Sequence, residues 1–206
     1  MEKIKSLDDL KIDKILEDSP KDSSGDYDFT SLAEEIMNKI YIDNGRNKYR
    51  LIEIEFYIYD KEKHPDVLVY PRDKKEAGTI FFHMSGIDIC FESSIEKGRF
   101  GGILIRAVER DSDRKQFGGP LICKNEILNN AEGKCTAHLY DNNLSYNILK
   151  VTQRRGFKNS KGSKDIYWNK QYRFVRDNIK KPIIREDKEF NPNTGKIEEM
   201  YRKYYL

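Results

Sequence analysis

The chain has 206 residues, with 38 Lys and Arg against 35 Asp and Glu (net charge +3), 37% hydrophobic and 12% aromatic residues. A chain of this length can bury about 70% of the surface its unfolded form exposes, so it needs neither a disulfide nor a metal to fold; 13 Tyr and 10 Phe are too many for a disordered chain. Its most apolar stretch, 78–91, is broken by His83 and Asp88, which falls short of the roughly 20 apolar residues of a membrane span.

In chain order, Ser6 with Asp9 makes a capping box ahead of a short helix carrying Leu10, Ile12, Ile15 and Leu16. The stretch 18–25, rich in Asp, Ser and Gly, reads as a linker. A second capping box, Ser31 with Glu34, opens a helix whose stripe is Leu32, Ala33, Ile36, Met37 and Ile40, and Asn44-Gly45 ends it with a turn. Strands are expected over 50–59, 79–82, 87–91 and 102–108, where β-branched and aromatic residues dominate. Gly118-Gly119-Pro120 leads into a short helix, further strands are expected over 150–157 and 172–175, and Ile197, Met200, Tyr201 and Tyr204 suit a small amphipathic helix. The pattern is α+β in one domain. Its divisions are 1–26 (helix and linker), 27–181 (the domain proper) and 182–206 (an extension with a short helix).

The near-neutral total conceals a division. Residues 150–181 hold eleven Lys and Arg against two Asp, a net +9 that leaves −6 for the rest of the chain. Two explanations stand for such a segment: a solvated lysine-rich face, or a surface that meets a polyanion. Trp168, Tyr167, Tyr172 and Phe174 interleave the cations, and aromatic groups beside cations suit bases beside phosphates. The first ten residues carry acids where a signal peptide needs an apolar run, and the three Cys form no C-x-x-C pair. A cytoplasmic protein in a reducing compartment is expected.

Strand alternation places Ile52, Ile54, Phe56 and Ile58 on one face and Glu53, Glu55, Tyr57 and Tyr59 on the other. That second face is either the wet side of a half-buried strand or a cleft wall where a carboxylate activates water beside a stacking aromatic. Arg106 interrupts an apolar run and must be paired with an acid such as Glu55 or Glu53, or line a site. Phosphate-binding loops, serine-hydrolase elbows and zinc-deaminase signatures are absent, and Cys123, Cys135 and His138 have poor zinc spacing. Chemistry without metal or cofactor is expected.

Seven short motifs then fall in a telling order: Leu32-Ala33 with Ile36; Ile52-Glu53-Ile54-Glu55-Phe56-Tyr57 followed by His64; 78–82 followed by Ser85-Gly86; Gly102 to Ala107 with Arg106; Gly119-Pro120; Arg155-Gly156; and Tyr172-Arg173-Phe174. This order resembles the alkyladenine (3-methyladenine) DNA glycosylases of the mammalian type, over about residues 28–178. The resemblance implies a single domain built on a curved antiparallel sheet with flanking helices. It also implies a monofunctional enzyme of base excision repair that flips a damaged purine from double-stranded DNA and hydrolyses its N-glycosidic bond. Glu55 would be the general base, and Arg106 would orient the water and Glu55 or hold the flipped nucleotide's phosphate. Tyr57, His64 and Phe82 would enclose the flipped base, with Glu92 discriminating among purines. Arg154, Arg155, Lys158, Lys161, Lys164 and Arg173 would grip phosphates. Where the family has a tyrosine that wedges into the duplex, this chain has Ser85, and neighbouring Met84 is the alternative wedge. A monomer of bacterial type, associated with the nucleoid, fits this reading. Its rivals are a nucleic-acid-binding protein on the same scaffold without the chemistry, and a protein-interaction module.

Overall fold

The computed structural model describes residues 4–23, 25–66, 69, 76–141, 144–151 and 170–177. Among them the helices are α1 (Ile12–Asp18), α2 (Thr30–Lys39) and α3 (Pro120–Asn129). The strands are β1 (Ile40–Asp43), β2 (Lys48–Asp60), β3 (Ile80–His83), β4 (Gly86–Cys90), β5 (Arg99–Arg110), β6 (Gln116–Gly118), β7 (Thr136–Leu139), β8 (Ile148–Val151) and β9 (Arg173–Arg176). They form one antiparallel sheet in the order β3-β4-β5-β2-β1-β7, with β6 added to β5, and β9 joining β2 to β8. The expected α+β class holds: a curved sheet with flanking helices in a single domain. The remainder of the strand expected over 150–157 and the helix expected near 197–204 lie outside the described residues.

The core is a single layer of side chains from one face of the sheet and from the helices. Ile54, Phe56 and Ile58 of β2 meet Leu32, Ala33, Ile36 and Met37 of α2. Phe29 stacks on Phe56 with centroids 5.0 Å apart. Leu10, Ile12, Ile15 and Leu16 join the same cluster, so residues before position 26 are part of the core and not a segment beside it. The cap of α2 differs from expectation. Phe29, not Ser31, is the N-cap and makes no side-chain cap bond; one residue earlier, Asp28 Oδ1 accepts from the Thr30 N–H at 3.1 Å and the Thr30 hydroxyl at 2.6 Å. The helix also ends earlier, at Lys39, and its last apolar residue, Ile40, begins β1. Asn44-Gly45 is then the turn of the β1–β2 hairpin, where Gly45 adopts φ +84.

One ion cluster ties α1 to the sheet. Asp13 accepts from Arg99 Nη1 at 3.0 Å and Lys97 Nζ at 2.7 Å, while Arg99 Nε donates to Asp60 at 2.9 Å. Asp60 also accepts the backbone N–H groups of Glu62 and Lys63, both at 2.9 Å. Burial would raise the Asp60 carboxyl, but those N–H groups and the Arg99 charge outweigh it and hold its pKa below the ordinary value. A depressed folded pKa contributes stability that is complete above the unfolded value of about 3.9 and is lost as pH falls through the folded one. Asp60→Asn is therefore expected to be less stable than the parent at pH 7, with the deficit shrinking below about pH 4. Paired urea titrations at pH 7 and pH 3 measure this, and an equal deficit at both would show that the charge is not its source.

Candidate active site

Residues opposite one another in neighbouring strands share a face. Phe81, Asp88, Leu104, Glu55 and Arg173 are cross-strand partners in succession through β3, β4, β5, β2 and β9, so they form one row on the face away from the core. The row beside it holds Cys90, Gly102 and Tyr57. The next holds Tyr59 against Phe100, their rings stacked at 4.5 Å.

Beyond Glu55 the ladder slips twice. Leu51 faces Val108, Glu53 faces Ala107 and Ile54 faces Ile105, so Ile52 on β2 and Arg106 on β5 are each an extra residue. Bulges of this kind re-aim side chains, and here the guanidinium spans two carboxylates. Arg106 Nε donates to Glu53 Oε1 at 2.8 Å and its Nη1 to Glu55 Oε2 at 3.0 Å. The Tyr57 hydroxyl donates to the same Glu55 oxygen at 3.1 Å, and Arg173 Nε is paired with Glu53 Oε1. Burial alone would lower the Arg106 pKa, but Glu55 and Glu53 reverse the effect and raise it. Arg106 therefore stays a fixed cation between two carboxylates, and a carboxylate positioned in this way can accept a proton from water. Behind it, burial and then Glu53 push the Cys123 thiol well above its ordinary pKa, which makes it an inert core residue and not a nucleophile.

The bulge also corrects the expected alternation. Ile52 is buried, but it is Tyr49 and Leu51 that join Ile54, Phe56 and Ile58 in the core cluster. Glu55, Tyr57 and Arg106 converge as expected. His64 does not join them: it is 3% exposed, its ring nitrogens lie 2.9 Å from the Ile58 carbonyl and the Tyr172 hydroxyl, and its ring packs on Tyr27 and Tyr172 in the core layer. Phe82 also turns inward, opposite Ile87 and against the core. The phase of the short β3 strand puts Phe81 and His83, not Phe82, on the Glu55 face. Glu92 is exposed and paired with Lys11 at 3.4 Å, and its backbone bonds to Leu10 and Ile12; it belongs to the N-terminal docking seam.

Arg173 is likewise no surface cation. At 3% exposure it is paired with Glu53 and cannot grip a DNA backbone. Lys170 is paired with Asp26 and Arg176 lies over the Tyr146 ring at 3.4 Å, so these cations of the basic segment are also engaged within the domain. Arg154, Arg155, Lys158, Lys161 and Lys164 lie outside the described residues.

Met84 and Ser85 form the two-residue turn of the β3–β4 hairpin, and Met84 is 91% exposed. Lys124 of α3 ties this turn to the helix by donating to the His83 and Met84 carbonyls, both at 2.9 Å. Below it, His83 Nε2 lies 3.4 Å from the buried Asp88 carboxylate and its Nδ1 lies 3.1 Å from the Ser85 hydroxyl. In the sequence His83 and Asp88 show only as breaks in the apolar stretch 78–91, with nothing local to place them on the Glu55 face. The signal was the hairpin register, which requires knowing that its turn has two residues.

Among the described residues no helix is long and apolar enough to cross a membrane. No family model matches the chain. An uncharacterized protein of Acanthamoeba polyphaga mimivirus is 30% identical to it over 140 residues, an alignment that covers 57% of this chain and 64% of that relative.

Proposed function

We propose that the chain is a monofunctional DNA glycosylase that flips a damaged purine from duplex DNA and hydrolyses its N-glycosidic bond. The observation that carries this reading is the Glu55 carboxylate, held by Arg106 and Tyr57 on a sheet face bordered by half-buried aromatics and by an exposed apolar hairpin tip. Glu55 takes a proton from water as its oxygen attacks C1′; the C1′–N9 bond breaks, and its electrons leave with the purine. A cationic alkylated purine departs as a neutral base, so one carboxylate suffices and no lysine nucleophile is needed. Met84 fills the place in the stack that the flipped base vacates, a use to which apolar side chains are put. Phosphate contacts are assigned to Arg154, Arg155, Lys158, Lys161 and Lys164, so binding is strongly dependent on salt.

A second reading, a nucleic-acid-binding protein that performs no chemistry, draws on the 0% exposure of Glu55, which suits a purely structural ion cluster. The deciding experiment incubates the protein with duplexes containing 3-methyladenine, 7-methylguanine, ethenoadenine or hypoxanthine and scores abasic sites. Abasic sites are the expected result. Tight, salt-sensitive binding without them supports the second reading, and no binding at low salt defeats both. Met84→Ala is expected to lower kcat/KM on duplex lesions by about tenfold, since unstacking costs a few kcal/mol, with little change on single strands. Fluorescence of 2-aminopurine beside the lesion reports the flipping step, and equal losses on both substrates would exclude a wedge.

A further inference from the structure

We infer that the far end of the outer sheet face, where β1 meets β7, is a second binding surface, one that stacks the bases of a single-stranded polynucleotide. The row beyond the bulges runs Gln116, Glu109, Arg50, Tyr41 and His138, cross-strand partners in succession through β6, β5, β2, β1 and β7. Tyr41 stands between the buried Ile40 and Ile42, so strand alternation turns its ring away from the core. Arg50 precedes Glu55 by five positions on β2, and His138 lies two strand spacings across from Arg50, which puts these rings roughly 15–20 Å from Glu55. One nucleotide cannot reach both places, so this surface is distinct from the glycosylase site and does not depend on that reading.

Three rings are piled there. Tyr41 stacks on His138 with centroids 5.5 Å apart and meets Tyr140 at 4.5 Å; His138 is exposed, while Tyr41 and Tyr140 are half-buried. Cations sit over the pile: Lys48 Nζ lies 4.9 Å from the Tyr41 centroid, and the Arg50 guanidinium lies 4.9 Å from that of Tyr140. Beside it, Arg50 Nη1 donates to the Tyr146 hydroxyl at 3.4 Å, and Arg176 lies over the Tyr146 ring. Rings interleaved with cations suit a single strand, because every base has a π-face and every linkage a phosphate.

The carboxylates of the region are turned to internal partners. Asp111 accepts from Arg50 Nη2 at 3.3 Å and from the Tyr140 hydroxyl at 2.9 Å. The buried Glu109 accepts from Gln116 at 3.0 Å and is paired with Arg114 at 2.8 Å. Asp43, opposite Lys48 in the β1–β2 ladder, accepts the Gly45 N–H at 2.8 Å. Lys48 is exposed and Arg114 is 45% exposed, so positive charge remains at the rim for phosphates. His138 offers the ring on which the first base is laid.

Fluorescence anisotropy with labelled oligo-dT and oligo-U over a series of salt concentrations tests the inference, using the full chain, His138→Ala and Lys48→Gln, with a strand of equal length that carries no bases as the comparison. The expected result is salt-sensitive binding of the base-bearing strands, weakened about 5- to 100-fold by His138→Ala, the worth of one stacked base. Lys48→Gln should lower the slope of log affinity on log salt by about 0.7, the share of one phosphate contact on a single strand. The strand without bases should bind the parent more weakly and lose nothing in His138→Ala. Both residues are exposed, so the fold should survive, and thermal denaturation checks this. A loss confined to DNA or to RNA supports the inference and names the polymer that uses the surface. Binding by His138→Ala within about twofold of the parent for both polymers, or a strand without bases that binds as tightly as the others, would overturn it. His138→Ala should release damaged bases from duplexes at the parent rate; a parent protein that releases none would defeat the glycosylase reading and leave this surface untouched.

Discussion

Glu55→Gln is expected to reduce single-turnover base release by about 10²–10⁴-fold, the range that a general base contributes, while DNA affinity is unchanged or slightly tighter. The substitution preserves shape, and the amide oxygen can still accept from Tyr57 and Arg106. What it removes is the capacity to take a proton from water. Arg106 retains its 2.8 Å bond to Glu53, so the guanidinium keeps a counter-charge and the fold should survive. Thermal denaturation beside the kinetic assay separates chemistry from folding. Glu55→Gln that releases base within threefold of the parent rate would remove Glu55 from the mechanism and return the cluster to a structural role. Tyr57→Phe offers a graded comparison: it deletes one donor at 3.1 Å but leaves the ring, so it should cost much less than the loss of the base.

The sheet and helices were legible where periodicity is long and uninterrupted. Leu32, Ala33, Ile36 and Met37 announce α2, and Ile54, Phe56 and Ile58 announce the core face of β2, because one period governs each stretch over several residues. What stayed hidden was set by tertiary pairing. Nothing local in Ile52 or Arg106 declares a bulge; it arises from how β2 and β5 align. The same slip explains why Arg106 meets both Glu53 and Glu55, when the sequence could nominate either. His64 and Arg173 were drawn to the site by order along the chain, yet burial at 3% each assigns one to the core layer and the other to an internal ion pair. A basic segment read as a unit thus divides by strand phase. Arg173 points to Glu53 while its neighbour Phe174 points into the core.

Glu53→Ala should have the larger effect on stability, about 3–5 kcal/mol, the usual cost of removing one partner from a buried ion cluster. Glu53 is 2% exposed and its Oε1 serves both Arg106 and Arg173. Deleting it leaves the Arg173 guanidinium, 3% exposed, without that counter-charge in a site water barely reaches. At roughly 2–4 °C per kcal/mol for a domain of this size, the melting temperature should fall by about 6–20 °C. Packing loss alone would give a different pattern, and a second substitution distinguishes them. Arg173→Met is itself expected to destabilise, but in the Glu53→Ala background it removes a buried charge that has lost its Glu53 partner and should recover about 1–3 kcal/mol. Strict additivity of the two changes in urea denaturation would mean that the pair does not interact. The coupling also bears on chemistry. With Glu53 absent, Arg106 loses the bond that fixes its guanidinium across the two carboxylates, and Glu55 loses that positioning. Base release by Glu53→Ala, measured well below its melting temperature, should therefore fall along with stability, whereas Glu53→Gln, which keeps an acceptor for both arginines, should lose less of each.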